Sequence, residues 1–157
     1  MGVYLVRHGK ALAKEVDPEK SLSEEGRAEI ERVGRVLHRC GVEVQTLLHS
    51  NKARARETAE IMASCLDSGL VPQETAGLTP LDGVHEMVAR IQRSHGGLML
   101  VGHLPHLVKL TSVVLGVPET TALVEFKPGG VVCFEGSSGG GWAIAWVLAP
   151  ELIKGLT

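Results

Sequence analysis

Short apolar runs alternate with longer amphipathic segments through residues 2–116 of the chain. The apolar runs have strand length and predict strands at residues 2–7, 45–50, 69–75 and 96–103. The other segments have apolar residues at helical spacing and predict helices at residues 21–40, 51–66, 82–94 and 104–116. Ser23 and Asp82 are the expected N-caps of the first and third helices, and Pro105 fits the first turn of the fourth. Because strands joined by helices pair in parallel, the alternation predicts a mostly parallel sheet.

The C-terminal part of the chain has a different pattern. Apolar runs at residues 122–127, 130–135 and 142–148 are separated by the turn sequences "PGG" and "GSSGGG". Such short glycine-rich connections are typical of antiparallel strands, so residues 136–141 are expected to form a hairpin loop rather than a phosphate cradle. We therefore predict an α/β three-layer sandwich: a mostly parallel central sheet, helices on both faces and an antiparallel C-terminal extension. A single domain is expected to cover residues 1–157.

Composition and charge argue against several classes of protein. The net charge is −2 and no strongly basic patch is present, so no nucleic-acid partner is expected. No apolar run approaches the length of about 20 residues that spans a bilayer, and no secretory signal is expected. Three widely separated cysteines without C-x-x-C spacing are typical of reduced thiols, and they are Cys40, Cys65 and Cys133. These features predict a cytoplasmic protein without a membrane partner.

Polar side chains of similar chemistry follow three of the predicted strands. In chain order they are Arg7-His8-Gly9, His49-Ser50 with Arg54 and Arg56 in the next helix, and Gly102-His103. In open parallel sheets, ligands bind beyond the carboxyl ends of the strands. We therefore expect two histidines and two or three arginines to lie at one edge of the sheet.

One of the two helical arginines is favoured by the helical period. Arg56 aligns with Glu60 on a polar face, where the two residues form an i,i+4 pair. Arg54 aligns with Thr58, nearer the side of the helix that is predicted to be buried. The period therefore places Arg54 in the site and gives Arg56 a solvent-facing role.

Arg7 and His8 are neighbours in the chain, and adjacent strand residues point to opposite faces of a sheet. They can share a ligand only where the strand stops being regular, and Gly9 makes a bend inexpensive there. Arginine matches phosphate because its planar fork donates two parallel hydrogen bonds. A neutral imidazole nitrogen can attack phosphorus and form a covalent phospho-enzyme, while a second histidine stabilises charge in the transition state. Such a set performs phosphoryl transfer by positioning and charge stabilisation, and no metal or other cofactor is expected.

Each part of this set also has a structural alternative. An Arg-His-Gly tripeptide alone is typical of a loop with a satisfied histidine, and His103 alone could cap the helix that begins near Pro105. His103 and His106 could form a metal pair, but no cysteine or carboxylate cluster accompanies them. A structural role is expected for His49, and surface roles are expected for His38, His85 and His95. A site is favoured because similar polar residues follow three of the predicted strands, not because of any one of them alone.

These residues and motifs resemble the histidine phosphatase superfamily. The Arg-His-Gly hallmark of that family is similar to "LVRHGKA", and its second-histidine segment is similar to "LMLVGHLPHL". Its x-L-[ST]-x-x-G stretch, which is led by Arg or Lys, is similar to "KSLSEEG". Its S-P-x-x-R-A-x-x-T segment is matched at Ser50, Arg54, Ala55 and Thr58, with Asn51 in place of proline. The resemblance implies a phosphoglycerate mutase-like fold with His8 as the phosphorylated nucleophile. By the same resemblance, the catalytic and phosphate-binding residues are Arg7, His8, Arg54 and His103.

Within the superfamily, the short chain and the "GHLPHL" segment look most like the SixA-type phosphohistidine phosphatases. Larger relatives supply a carboxylic acid from an insertion, whereas Gly77 stands here where related sequences often have an acidic residue. Glu74 and Asp82 are weak candidates for that acid. An imidazole, with a reference pKa of roughly 6.5, is a far better leaving group than an alkoxide and depends less on an acid.

The resemblance therefore implies a metal-independent phosphatase that hydrolyses phosphohistidine on a protein through a covalent phosphohistidine intermediate. Its partner would be a phosphohistidine-bearing protein, such as a phosphotransfer domain, and its role would be protein dephosphorylation in signal transduction. Two alternatives stay open. The chain could act on small phosphate esters or phosphoramidates, or it could be a non-catalytic phosphoprotein-binding module.

Overall fold

A computed structural model describes residues 2–67 and 69–156 of the chain. Strands and helices alternate as far as the fourth helix, and an antiparallel pair of strands and a short 3-10 helix follow. In chain order the elements are β1 (Val3–Arg7), α1 (Glu24–Arg39), β2 (Thr46–His49), α2 (Ala53–Leu66), β3 (Gln73–Glu74), α3 (His85–Arg93), β4 (Leu98–Gly102), α4 (His106–Val114), β5 (Val131–Gly136), β6 (Trp142–Leu148) and η1 (Pro150–Ile153).

The strands form one sheet in the order β3-β2-β4-β1-β5-β6. The first four strands in this order are parallel, β5 is antiparallel to β1, and β6 is antiparallel to β5. In the register of β1 with β4, Arg7 lies opposite Gly102, so both strands end at the same level. β2 ends beside them, with His49 opposite Val101. The carboxyl ends of three strands therefore meet at one edge, where the sequence predicts a site.

Helices cover both faces of the sheet because successive strand residues point to opposite sides. Tyr4 and Val6 of β1 pack with α1, α2 and η1 on one face. Val3 and Leu5 pack with α3 and α4 on the other face. The predicted three-layer α/β sandwich with an antiparallel C-terminal extension is confirmed.

Ser23 is the N-cap of α1, as the sequence predicts. It is the residue before the helix, and its Oγ accepts a hydrogen bond of 3.0 Å from the backbone N–H of Gly26. The prediction for Asp82 is wrong, because α3 begins only at His85 and no side chain caps it. The carboxylate of Asp82 accepts a 2.9 Å hydrogen bond from the backbone N–H of Thr79 instead, so it organises the preceding loop.

Two predicted strands also differ from the structure. The strand expected at residues 69–75 is reduced to Gln73–Glu74, which pairs with the end of β2. Residues 122–127 form no strand. β4 and β5 pair with the two sides of β1, so residues 122–127 cannot pair there. The carbonyl oxygen of Phe126 instead accepts a hydrogen bond from the side chain of Arg7.

The part of the chain that the structure describes has no helix with the length and apolar character required to cross a membrane.

Candidate active site

The end of β1 presents a partly buried guanidinium group. Arg7 is the last residue of the strand, and its Nη1 donates a 2.9 Å hydrogen bond to the carbonyl oxygen of Phe126. Its Nε is buried and has no hydrogen-bond partner among residues 2–67 and 69–156. Because a buried donor without an acceptor costs free energy, this N–H is suited to an anionic ligand that completes the bond.

The structure orients the ring of His8 through the backbone of the next residue. Nδ1 lies 2.7 Å from the carbonyl oxygen of Gly9, which can only accept, so Nδ1 carries the proton and Nε2 carries the free electron pair. Burial is the largest effect on this ring and lowers its pKa to about 4; the positive charges of Arg54, Arg7 and Lys20 act in the same direction. The imidazole is therefore neutral at pH 7, which is the form in which an imidazole nitrogen can act as a nucleophile.

Gly9 is required by close packing rather than by a bend. Its φ is not in the left-handed region, and a Cβ at this position would lie 2.9 Å from Cγ1 of Ile30 and 3.2 Å from Cδ2 of Leu22. The sequence-based reason for this glycine is thus corrected: the loop after β1 lies directly against α1, and no side chain fits between them. The backbone N–H of Gly9 donates a 3.0 Å hydrogen bond to Oγ1 of Thr58.

The structure separates the two helical arginines as the helical period predicts. Arg54 lies in the first turn of α2 and is half-buried, and its charge lowers the pKa of both His8 and His103. Arg56 forms an exposed ion pair with Glu60, with 3.4 Å between Nε and Oε1. Arg54 is therefore the arginine of α2 that lies beside the two histidines.

His103 lies directly beside His8. It follows β4 and is 1% exposed, and the centroids of the two rings are 4.9 Å apart with an interplanar angle of 51°. Its Nε2 is 2.6 Å from Oγ of Ser50, and its Nδ1 is buried without a partner in the described chain. Burial, and then the charges of His8, Arg54 and Lys52, lower its pKa to about 3. Both rings are consequently neutral at pH 7.

The remaining candidates lie outside this cluster. Nδ1 of the buried His49 donates a 2.7 Å hydrogen bond to the carbonyl oxygen of Ser50, which is a structural role. Nε2 of His106 lies 3.3 Å from the carbonyl oxygen of Gly83. Neither Glu74 nor Asp82 is hydrogen-bonded to, or ion-paired with, the side chains of Arg7, His8, Arg54 and His103. A group of three His, Cys, Asp or Glu residues able to hold a metal ion is not found in residues 2–67 and 69–156.

Four further residues belong to the site and were not assigned a role from the sequence. Ser50 contacts His103, and Thr58 links Gly9 to α2, since its Oγ1 also donates a 2.8 Å hydrogen bond to the carbonyl oxygen of Arg54. The charges of Lys20 and Lys52 reach His8 and His103, respectively. The signal for Ser50, Thr58 and Lys20 is their place in the matched motifs, since Lys20 leads the "KSLSEEG" stretch, whereas Lys52 lies between two matched residues without being one of them.

This arrangement is suited to binding a tetrahedral oxyanion and attacking it. Two arginines supply positive charge and N–H donors, and their charges act on a neutral histidine whose Nε2 carries no proton. In a site from which water is partly excluded, such donors stabilise developing negative charge more strongly than water does.

Comparison with known proteins gives a consistent picture. Residues 3–83 match the family model of the histidine phosphatase superfamily, branch 1. The chain is 32% identical over 114 residues to an uncharacterized protein of Picosynechococcus sp., covering 68% of both chains. The structure of a protein histidine phosphatase SixA complexed with tungstate superposes with a TM-score of 0.84 at 22% identity, covering 98% of this chain and 99% of that one. A SixA structure from Agrobacterium tumefaciens gives 0.77 at 24% identity, covering 95% and 97%.

Proposed function

Because the chain belongs to the histidine phosphatase superfamily, branch 1, we propose that it is a metal-independent phosphatase that removes the phosphoryl group from phosphohistidine on a protein. The phosphoryl group passes first to His8 and then to water. The observation that carries this proposal is the 2.7 Å hydrogen bond from Nδ1 of His8 to the carbonyl oxygen of Gly9, which leaves Nε2 as a nucleophile. The fold shared with SixA supports the choice of substrate class.

In the first step, Nε2 of His8 attacks phosphorus and the P–N bond of the substrate breaks. The departing imidazole nitrogen keeps the electron pair of that bond, and solvent protonates the other ring nitrogen. Arg7 and Arg54 bind the phosphoryl oxygens, and His103, whose ring centroid is 4.9 Å from that of His8, donates an N–H to them. In the second step, water attacks the phosphorus of phospho-His8 and loses a proton to solvent, and His8 leaves with its electron pair. The products are inorganic phosphate and the original neutral imidazole.

The leaving group favours phosphohistidine over an alkyl phosphate ester. An alkoxide is about as basic as hydroxide, whose conjugate acid, water, has a pKa of about 15.7, so it leaves only with a proton from a general acid. When solvent has protonated the other ring nitrogen of phosphohistidine, the group that leaves is neutral imidazole, with a reference pKa of about 6.5, and it needs no general acid from the protein. No carboxylate in residues 2–67 and 69–156 is hydrogen-bonded or ion-paired to the four site side chains. This chemistry supports a P–N substrate.

The test combines a His8→Ala variant with a panel of substrates. We expect rapid acid-labile, base-stable labelling of the wild-type protein by a ³²P-phosphohistidine peptide. The variant should lose this label and at least about a thousandfold in kcat, as is usual when a covalent nucleophile is removed. A His85→Ala variant is the matched control, because His85 is exposed on α3.

The panel distinguishes this function from its alternatives. The order of kcat/KM is expected to be phosphohistidine peptide, then aryl phosphate, then alkyl phosphate. Faster turnover of an alkyl phosphate would indicate a phosphatase for small esters. Tight binding of the phosphohistidine peptide without release of phosphate would indicate a non-catalytic binding module. Unchanged turnover by His8→Ala would contradict the mechanism.

A further inference from the structure

A basic cleft opens beside the phosphate site. It has a volume of about 400 Å³, and the cationic residues that line it are Lys14, Lys20, Lys52 and Arg54. Glu19 is the single carboxylate in its lining, although the whole chain has a net charge of −2. Positive charge is therefore concentrated at one place on a protein that is otherwise slightly acidic.

The three lysines of the cleft are outside the ion pairs that the described part of the chain forms. None of them is in an ion pair with a carboxylate in residues 2–67 and 69–156, whereas Lys10, for example, lies 2.7 Å from Glu25. Lys14 and Lys52 are exposed, and Lys20 is partly buried. Their ammonium groups are thus available to a ligand.

The cleft shares one residue with the group of side chains around His8 and His103. Arg54 belongs to both, since it lines the cleft and its charge lowers the pKa of His8 and of His103. Lys20 acts on His8 and Lys52 acts on His103 in the same way. A substrate whose phosphoryl group lies at His8 therefore extends its neighbouring groups toward these lysines.

The backbone holds Lys20 at this position at a cost. Its φ of +53° lies in the left-handed region, which a residue with a Cβ adopts at a cost of about 1–2 kcal/mol. The carboxylate of Asp17 closes the turn by accepting hydrogen bonds from the backbone N–H groups of Glu19 and Ser21, at 3.0 and 3.1 Å. The loop is thus ordered around an unfavourable residue conformation beside the cleft, a pattern that points to function.

Resting on the proposed function, we propose that this cleft is a specificity site for carboxylates that flank the phosphohistidine of the protein substrate. The lysines come from two separate loops and act as hydrated point charges rather than as a fixed fork. Such an open, spread-out set suits an acidic protein surface better than a single small anion. Its main effect is on encounter and on KM, because electrostatic attraction between exposed charges steers association.

The test uses two phosphohistidine peptides of equal length, with glutamate or glutamine at the three positions on each side of the phosphohistidine. At low salt we expect wild-type kcat/KM to favour the acidic peptide about tenfold. The reason is that each of the three lysines can pair with a carboxylate of the peptide, and each such pair contributes about twofold. The preference should disappear at 1 M salt, where the Debye length is about 3 Å. Lys14→Glu combined with Lys52→Glu should abolish or reverse it through KM.

Arg35→Glu is the matched charge control. Arg35 is exposed on α1, about 16 Å along the helix axis from its first residue, which lies at the end near the site. This variant should retain the wild-type preference.

Equal kcat/KM for the two peptides in wild type would overturn the specificity site and leave the phosphohistidine phosphatase intact. Loss of turnover on both peptides equally in the lysine variants would also overturn it. If pyrophosphate inhibits wild type far more tightly than phosphate, and Lys52→Glu removes the difference, the cleft binds a second phosphoryl group of a small molecule and the inference is wrong. If neither peptide is hydrolysed, the proposed function fails as well.

Discussion

Replacement of Thr58 by valine tests whether the backbone around the nucleophile is held from α2. The side chain of Thr58 is fully buried, and its Oγ1 accepts from the N–H of Gly9 at 3.0 Å and donates to the carbonyl oxygen of Arg54 at 2.8 Å. The carbonyl of Gly9 in turn orients His8. Valine keeps the size and shape of threonine but removes the hydroxyl group, so Thr58→Val leaves the buried N–H of Gly9 without an acceptor.

Two magnitudes follow from this geometry. An unsatisfied buried donor costs about 1–3 kcal/mol, so the free energy of unfolding should fall by about 2 kcal/mol. A nucleophile displaced by about 1 Å can lose about a hundredfold in rate, so kcat should fall between about tenfold and a hundredfold. KM should change little, because Arg7 and Arg54 keep their positions. Thr58→Ser loses about 1 kcal/mol with its buried methyl group but retains the hydroxyl, and its kcat should stay within about twofold of wild type.

The assay pairs urea unfolding, followed by the fluorescence of Trp142 and Trp146, with steady-state turnover of a phosphohistidine peptide. The comparison that decides is Thr58→Val against Thr58→Ser, since both lose stability and only valine loses the hydrogen bond. Equal kcat in the two variants would refute the positioning role. An unfolding free energy of Thr58→Val equal to that of wild type would refute the argument from the buried N–H.

Further predictions concern the arginines, the pH dependence and the packing of α1 against the loop after β1. Arg54→Lys should lower kcat/KM about 10- to 100-fold, because an ammonium group cannot replace the guanidinium fork, while Arg56→Lys should leave it unchanged in the same assay. Phospho-enzyme formation, measured by rapid quench, should persist to about pH 5 and decline toward pH 4. The reason is that burial lowers the pKa of His8 to about 4, so the ring is neutral above that pH. A pH profile of phospho-enzyme formation with its midpoint near 6.5 would contradict this. Between about pH 6.5 and 4 the imidazole of His8 is protonated in the unfolded chain but neutral in the folded one. The free energy of unfolding should therefore fall by about 3 kcal/mol as the pH falls through this range. His8→Gln should remove this part of the pH dependence of stability in urea titrations. Gly26→Ala should lower the free energy of unfolding by about 2 kcal/mol, because its Cβ would lie 2.2 Å from the carbonyl oxygen of Lys10; equal urea midpoints would contradict this.

The sequence predicted those features that depend on local periodicity. Alternating strand and helix patterns specify which residues lie at the carboxyl ends of parallel strands, and so placed Arg7, His8 and His103 at one edge. The helical period distinguished Arg54 from Arg56, since only one of them can lie toward the buried side of α2. These inferences need no knowledge of how distant segments pack.

The sequence-based predictions that were wrong concern features that are determined by tertiary contacts. The apolar pattern at residues 122–127 is compatible with a strand, but β4 and β5 already flank β1, and the carbonyl of Phe126 binds Arg7. Asp82 has the chemistry of an N-cap but bonds within its own loop. Gly9 is needed because α1 packs against it, which no local pattern reveals. Lys20 and Lys52 line one cleft because two loops meet there, which no local pattern reveals.

The spacing of the two histidines is a consequence of strand register. Arg7 lies opposite Gly102 in the parallel pairing of β1 with β4, and these two residues end their strands. His8 and His103 are the residues that follow them. The ladder continues through the 3.1 Å hydrogen bond from the backbone N–H of His8 to the carbonyl oxygen of Gly102. Neighbouring strands lie about 4.8 Å apart, and the ring centroids of His8 and His103 are separated by 4.9 Å. A slip of one residue would displace the rings by about 3.3 Å and turn the apolar side chains of β1 to the wrong faces. The buried residues of β1 therefore set the distance between the rings of His8 and His103, so the core that stabilises the fold also positions the candidate site.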